Sequence, residues 1–323
     1  MHETLTSPLE NKNVLFVVNP TAGNGLSKDE RKELRTAIDF VQLSGSAVDL
    51  VETRAPEHAT EIAQNARLNN TDAIIVVGGD GTLNEVVQST ANSDVAIGII
   101  PTGLFSIWAR EMKIPTDIQQ AGESLARSQI KTVDLGKVNN TLFLQFANFG
   151  FDSEQYMKVH KPGTVRKHSA GVTFTQAFGR SMFEGWTYRG HKACVTSESI
   201  TSPLDRLLIG VISNSRKYGV LTLNKKTLLD DGELEFTFFT GKLGPQFLAQ
   251  FAGVALDRDF IPGMVRGSLK NSFIIETNPD DEIGITVDGN PLGYASAVKI
   301  AVLPQAQNVI IPQAAPAGLF RKI

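Results

Sequence analysis

Apolar residues recur along the first 133 positions in two alternating rhythms. Uncharged, largely apolar runs at 13–18, 73–77 and 95–100, and the mixed stretch 48–52, read as short strands. Between them, 27–43, 56–68 and 82–91 carry apolar residues at helical spacing, with Ala59, Ile62, Ala63 and Ala66 on one face and Leu83, Val86 and Val87 on another. Thr82 is placed to cap the first turn of the 82–91 helix. Strands that are apolar throughout and alternate with helices predict a parallel sheet covered on both faces. Ligands of such sheets collect outside the carboxyl ends of the strands.

From about Val133 the rhythm changes. Strand-like runs follow one another at 142–148, 192–196, 207–213, 234–239, 272–277, 284–288 and 297–303, and only 164–183 and 244–255 read as helices. This predicts an α/β chain: an N-terminal parallel-sheet α/β domain over 1–133 and a mostly antiparallel C-terminal domain, a β-sandwich or distorted barrel, over 134–304. The tail, 305–323, is expected to pack back on the first domain.

Chemistry is concentrated where strands end. The 73–77 run meets Gly78, Gly79, Asp80 and Gly81 and passes straight into a helix. A glycine-rich turn at a helix N-terminus gathers free backbone N–H groups and the positive end of the helix dipole, which suits a phosphate. A second small-residue turn, Asn19-Pro20-Thr21-Ala22-Gly23-Asn24-Gly25, follows the first strand, so the two are expected to share one crevice.

Composition narrows the partners. The 323 residues are 41% hydrophobic, with no run near the roughly 20 apolar residues of a membrane helix. A net charge of −3 without a long basic run argues against a nucleic-acid partner. One cysteine, Cys194, rules out an internal disulfide and reads as core, and the five histidines show no metal-ligand spacing. Arg166, Lys167, His168 and Arg180 form a basic face on the 164–183 helix, read as solvated, with a face toward anionic lipid as the alternative. The polar, acidic N-terminus does not read as a signal peptide, so a cytoplasmic protein is expected, peripheral to a membrane if its substrate is a lipid. A homodimer is left open.

Five motifs together resemble the diacylglycerol kinase catalytic-domain family, which includes bacterial lipid kinases and sphingosine kinases and is related to NAD kinases. They are Asn19 to Gly23, the Gly78-Gly79-Asp80-Gly81-Thr82-Leu83-Asn84-Glu85 stretch, Asn148-Phe149-Gly150-Phe151-Asp152, Asn214 with Tyr218-Gly219 and then Leu228 to Leu234, and Val287-Asp288-Gly289. The resemblance implies phosphoryl transfer from ATP to a lipid hydroxyl, with nucleotide between the domains and the acceptor in a cleft of the second. By the same carry-over, Asn19, Thr21, Gly23, Asn24, Thr53, Gly78, Gly79, Asp80, Gly81, Thr82, Asn84 and Glu85 would contact nucleotide. Asp80 would hold Mg2+ through water. Asp231, with backbone oxygens at Leu228 and Glu233, would form a structural metal site, and Asp288 is the candidate base. On composition alone, the turns around Asp231 and Asp288 are also ordinary connections. Asn214, Asp152 and Arg110 read as structural hydrogen-bonding groups.

Two departures from the family pattern bear on activity. Where the family carries Pro-x-Gly-Thr-x-Asn, this chain has Pro101-Thr102-Gly103-Leu104-Phe105-Ser106, and the glutamate of the family's Asp-Gly-Glu is Asn290. Leucine donates no hydrogen bond and an amide is no base. Either Asp288 carries the base role alone, or the chain binds nucleotide or lipid without efficient turnover. An NAD-kinase-like enzyme with a soluble acceptor is the third reading.

Overall fold

In the computed structural model of the chain, which describes residues 7–125, 127–159, 188–197, 201–218, 221–242, 244–256, 258 and 261–321, the alternation of the first half becomes a parallel sheet. The expected 164–183 helix with its basic face lies outside the described residues, as do His160 and Gly219. Chain contacts divide the protein into one unit of Met1–Val133 with Gln305–Ile323, and a second of Asp134–Pro304.

The first unit runs β1 (Asn13–Val18), α1 (Lys28–Gln42), β2 (Ala47–Glu52), α2 (His58–Leu68), β3 (Ala73–Gly78), α3 (Asp80–Thr90), β4 (Ala96–Pro101), α4 (Ile107–Glu111) and α5 (Ile118–Leu125). Its sheet order is β2-β1-β3-β4, all parallel, with Asn13 opposite Ala47, Val14 opposite Ala73 and Ala73 opposite Ala96. Right-handed crossovers therefore send α1 to one face and α2 and α3 to the other. Every residue of β3 and β4 is buried, as a sheet covered on both sides requires. Chain direction reverses between β1 and β3, the switch point at which such sheets bind ligands.

Helix starts follow local chemistry. Ser27 and Glu30 form a reciprocal capping box on α1, the S-x-x-E signature visible in the sequence. For α3 the expectation needs correcting. The helix begins at Asp80 with Gly79 as its N-cap, no side chain caps it, and Thr82 lies inside the first turn. The glycine's extended backbone takes the cap position four residues before Leu83, the first apolar residue of the pattern.

The second unit contains the end of β5 (Ser128–Val138), then β6 (Thr141–Phe143), β7 (Phe146–Gly150), α6 (Phe151–Val159), β8 (His191–Ser197), β9 (Thr201–Ser213), β10 (Lys217–Tyr218) and β11 (Leu221–Thr222). It continues with β12 (Leu234–Thr240), the helix Pro245–Ala255, β13 (Met264–Leu269), β14 (Ser272–Thr277), β15 (Ile283–Val287), β16 (Asn290–Ala295) and the first part of β17 (Ala297–Pro312). The pairings of β7, β8, β12 and β14 with their neighbours are antiparallel, and β9 is shared. Its early residues pair with β8, and its late ones with β7 and β12. Two antiparallel faces thus meet over one core that includes Phe143, Phe149, Phe238, Phe273 and Ile285, with the Phe238 and Phe273 rings 6.2 Å apart. This is the mixed architecture read from the pattern.

Two boundaries differ from expectation. The 142–148 run is broken between β6 and β7, because the amides of Leu144 and Gln145 turn to the Asp288 carboxylate instead of a neighbouring strand. The last strand continues to Pro312, and Asn308 and Val309 lie parallel to Ala96 and Ile97 of β4. Gln307 fixes that return, accepting from the Thr90 hydroxyl and donating to the Val95 carbonyl. No helix among the described residues is long and apolar enough to cross a membrane.

Candidate functional site

At the switch point of the first unit, three strand-end turns lie against one another. The Asn19 amide donates to the Val77 carbonyl at 2.8 Å, and its side-chain nitrogen donates to the Thr82 hydroxyl at 2.8 Å. The Asn19 side-chain oxygen accepts from the Thr21 amide and hydroxyl, so one side chain both shapes its own turn and ties it to α3. Beyond β4, the Thr102 and Gly103 amides both donate to the Gly78 carbonyl.

Glycine is required at two contacts. A Cβ on Gly103 would stand 2.5 Å from the Gly79 Cα. Gly23, at φ +61°, would place one 2.4 Å from the Thr102 carbonyl oxygen. Both approaches are backbone against backbone, so no side-chain adjustment relieves them.

Beside these turns is a cavity of about 570 Å³ lined by Gly23, Asn24, Ser27, Glu30, Thr102 and Leu104, among others. A smaller one of about 320 Å³ shares Glu30, Thr102, Gly103 and Leu104 and adds Ser106, Arg110 and Thr116. Leu104, 38% exposed, therefore stands on the boundary of the two. The larger cavity's lining holds one carboxylate, Glu30, and neither lysine nor arginine. Glu30, held below the usual carboxylate range by the Ser27 hydroxyl and amide, was not singled out from the sequence, although its capping-box position was readable.

The remaining expected nucleotide residues fall behind this front. Asp80 accepts from the amides of Ile107 at 2.9 Å and Trp108 at 3.1 Å, taking the place of a cap on α4. Ser106, the nominal N-cap of α4, sits at φ +40° and turns its hydroxyl back to the Gly103 carbonyl. Thr53 donates its amide to the Val18 carbonyl at the end of β2. Asn84 is buried, and Glu85 reaches the Ala59 amide, supplying the cap that Glu57 does not give α2. Burial raises the Glu85 carboxyl above its ordinary value.

In the second unit, the expected metal and base residues lie in two turns. The Asp231 carboxylate accepts from the Glu233 amide at 3.1 Å, while Glu233 pairs with Lys270 at 3.1 Å. Fully buried Asp134 accepts from the Gly232 amide and donates its own amide to the Leu229 carbonyl. Asp134 fell in no motif, and nothing in the sequence marks it. Asp288, 4% exposed at φ +43°, and Gly289, at φ +78°, form the two-residue turn of the β15–β16 hairpin, with the backbone a type I′ turn demands. Both Asp288 oxygens are engaged, by the amides of Leu144 at 2.7 Å, Gln145 at 3.0 Å and Phe146 at 2.9 Å. Asn214 joins the same network, donating to the carbonyls of Asp134 and Leu144.

Among the described residues no group of three or more His, Cys, Asp or Glu side chains is arranged to hold a metal. A magnesium ion asks for less, one or two carboxylates with water and phosphate oxygens completing its shell. Asp80 is the carboxylate of the glycine-rich turn, and an ionised carboxylate offers about four lone-pair sites.

Residues 13–138 match the family model described as Diacylglycerol kinase catalytic domain. Over 298 residues the chain is 25% identical to the Citrobacter koseri protein named "Probable lipid kinase YegS-like", covering 91% of this chain and 95% of that one. It is 35% identical over 141 residues to a Staphylococcus aureus diacylglycerol kinase, 43% of this chain and 44% of the relative. A solved Bacillus anthracis structure superposes with a TM-score of 0.77 at 20% identity, over 95% of this chain and 97% of that one, which establishes a shared fold. The turns that meet at the β1–β3 switch point thus lie inside residues 13–138, the stretch that matches the diacylglycerol kinase catalytic domain.

Proposed function

We propose that this protein is an ATP- and magnesium-dependent lipid kinase that moves the γ-phosphoryl group onto a hydroxyl of a diacylglycerol-like or long-chain lipid presented at a membrane surface. One observation carries the reading: the Asn19–Gly25, Gly78–Thr82 and Thr102–Leu104 turns converge on the uncapped N-terminus of α3, beside a cavity of about 570 Å³. An uncapped helix start offers amides and dipole to an anion, and phosphoryl transfer needs chiefly positioning and charge neutralisation. The lipid-kinase names of the relatives supply the acceptor class.

Asn19, Thr21, Gly23, Asn24, Gly78, Gly79, Gly81 and Thr82 would contact nucleotide, Thr53 would border it, and Asn84 and Glu85 would hold α3 and α2 behind the loop. Asp80 would hold Mg2+ through water, and the ion would neutralise phosphate charge. A second ion at Asp231 with the backbone oxygens of Leu228 and Glu233 would be structural.

Leu104 and Asn290 favour a second reading, a member that binds nucleotide or lipid but turns over poorly. Purified protein with labelled ATP, magnesium and several lipid classes in mixed micelles separates them. Transfer above an Asp80→Ala control supports the kinase, and thermal stabilisation by ATP-magnesium without transfer supports the binder.

A further inference from the structure

Two helix starts of the first unit border the candidate site, and they differ in charge. The start of α3 is uncapped, and its Gly79 N-cap packs against Gly103, which lines the cavity of about 570 Å³. The start of α1, on the same cavity, is closed. The Ser27 hydroxyl accepts the Glu30 amide at 3.2 Å and the Glu30 carboxylate accepts the Ser27 amide at 2.8 Å, so the chain itself supplies the negative charge that a helix N-terminus favours. That bond uses one Glu30 oxygen, Oε2, and the other has no hydrogen-bond partner among the described residues. The Ser27 hydroxyl and amide hold the carboxyl below its usual range, so Glu30 is ionised at neutral pH. Among the described residues no lysine or arginine lines this cavity. An ionised carboxylate without a cation beside it repels phosphate and accepts hydrogen bonds from hydroxyls. Pro20, Leu26 and Leu104 add apolar lining, and the Thr102 hydroxyl oxygen on the same cavity is buried without a hydrogen-bond partner. A buried polar atom left unmet by the chain is an opening for a ligand group.

We propose that this cavity takes the nucleoside end of the triphosphate, with Glu30 accepting a hydrogen bond from a ribose hydroxyl and Thr102 making a second contact, so that Glu30 selects ribonucleotides over deoxyribonucleotides. The inference rests on the ATP-dependent reading and sharpens it. The phosphates then belong to the uncapped start of α3, and the neutral sugar to the capped, acidic start of α1. A hydroxyl bonded to a carboxylate is charge-assisted and roughly twice as strong as a neutral pair, so one such bond suffices to discriminate. The apolar lining from Pro20, Leu26 and Leu104 suits the flat face of a base.

Calorimetry gives the Kd of ATP, 2′-deoxy-ATP and 3′-deoxy-ATP, each with magnesium, for wild type, Glu30→Ala, Glu30→Gln and Thr102→Val. Wild type is expected to bind ATP about 10-fold more tightly than at least one deoxy analogue. Glu30→Ala should weaken ATP to the level of that analogue while leaving the analogue's own Kd within about twofold, a pattern that a general defect of α1 does not produce. Glu30→Gln keeps one oxygen, which serves either the Ser27 amide or the ligand, so it should stay folded and still lose about threefold or more on ATP. Thr102→Val removes a hydroxyl with no partner in the chain, so ATP should weaken while the thermal midpoint without nucleotide does not fall. If Glu30→Ala fails to fold, Glu30→Gln decides. Wild type binding all three nucleotides within about twofold, or a Glu30 variant losing ATP and both analogues equally, overturns the assignment alone. No ATP binding by wild type overturns the ATP-dependent reading with it.

Discussion

The Trp108 backbone amide donates to the Asp80 carboxylate across 3.1 Å, so the aspartate of the glycine-rich turn also caps α4, the helix that follows the Leu104 loop. Removing that carboxylate should therefore have two consequences. Asp80→Ala is expected to lower unfolding free energy by about 1 kcal/mol, the usual worth of a cap, and to abolish stabilisation by ATP-magnesium. Asp80→Asn, which keeps an acceptor, should recover most of the stability and little of the magnesium effect. Urea unfolding with and without nucleotide measures both.

Leu104 presents an apolar side chain where two cavities meet. Leu104→Thr adds a hydroxyl there, and at a partly exposed position it should change stability by less than about 0.5 kcal/mol. One new hydrogen bond to a phosphate should tighten ATP roughly 2- to 10-fold, read by calorimetry.

The Asp288 carboxylate serves as acceptor for three successive amides in the break between β6 and β7. Asp288→Ala would leave Leu144, Gln145 and Phe146 without it inside the second unit, at an expected cost of about 3 kcal/mol in unfolding free energy. Urea denaturation tests this, and a change below about 1 kcal/mol would mean the amides find other partners.

How far the sequence reaches is clear from particular residues. The strands at Asn13–Val18 and Ala73–Gly78 were legible because burial on both faces leaves uninterrupted apolar runs. The Asn19 and Gly78 turns were legible because close backbone approach needs glycine and small residues. The start of α3 was displaced because a glycine N-cap leaves no side-chain signal. The split at Leu144 and Gln145 depends on a carboxylate more than 140 positions away, which no local pattern encodes. Helix α6 escaped notice because its few apolar positions are weakly segregated, and with it went the setting of Asp152. Asp134 was invisible for a similar reason, since its partners at Leu229 and Gly232 come from a distant turn.

His191 lies with Nε2 2.9 Å from Glu154 and Nδ1 2.8 Å from Asp281, and Tyr188 donates to Glu154 at 2.9 Å. Two carboxylate partners require both ring nitrogens to donate, hence an imidazolium. Burial opposes that charge, but the Glu154 and Asp281 bonds outweigh it and hold the imidazole above its ordinary value. Lys158 and Tyr294 face the same Glu154. A folded-state value above the unfolded one adds stability below about pH 6.5 that is lost as pH rises through the folded value. Wild type should therefore lose stability as pH rises above about 6.5, and His191→Gln should flatten that slope in urea unfolding.

Phosphoryl transfer to a lipid hydroxyl is measured by incubating the purified protein with γ-labelled ATP, magnesium and diacylglycerol or long-chain lipids in mixed micelles. Labelled phospholipid that depends on magnesium and falls to background with Asp80→Ala is expected. Label no higher than that control across every lipid class would contradict it.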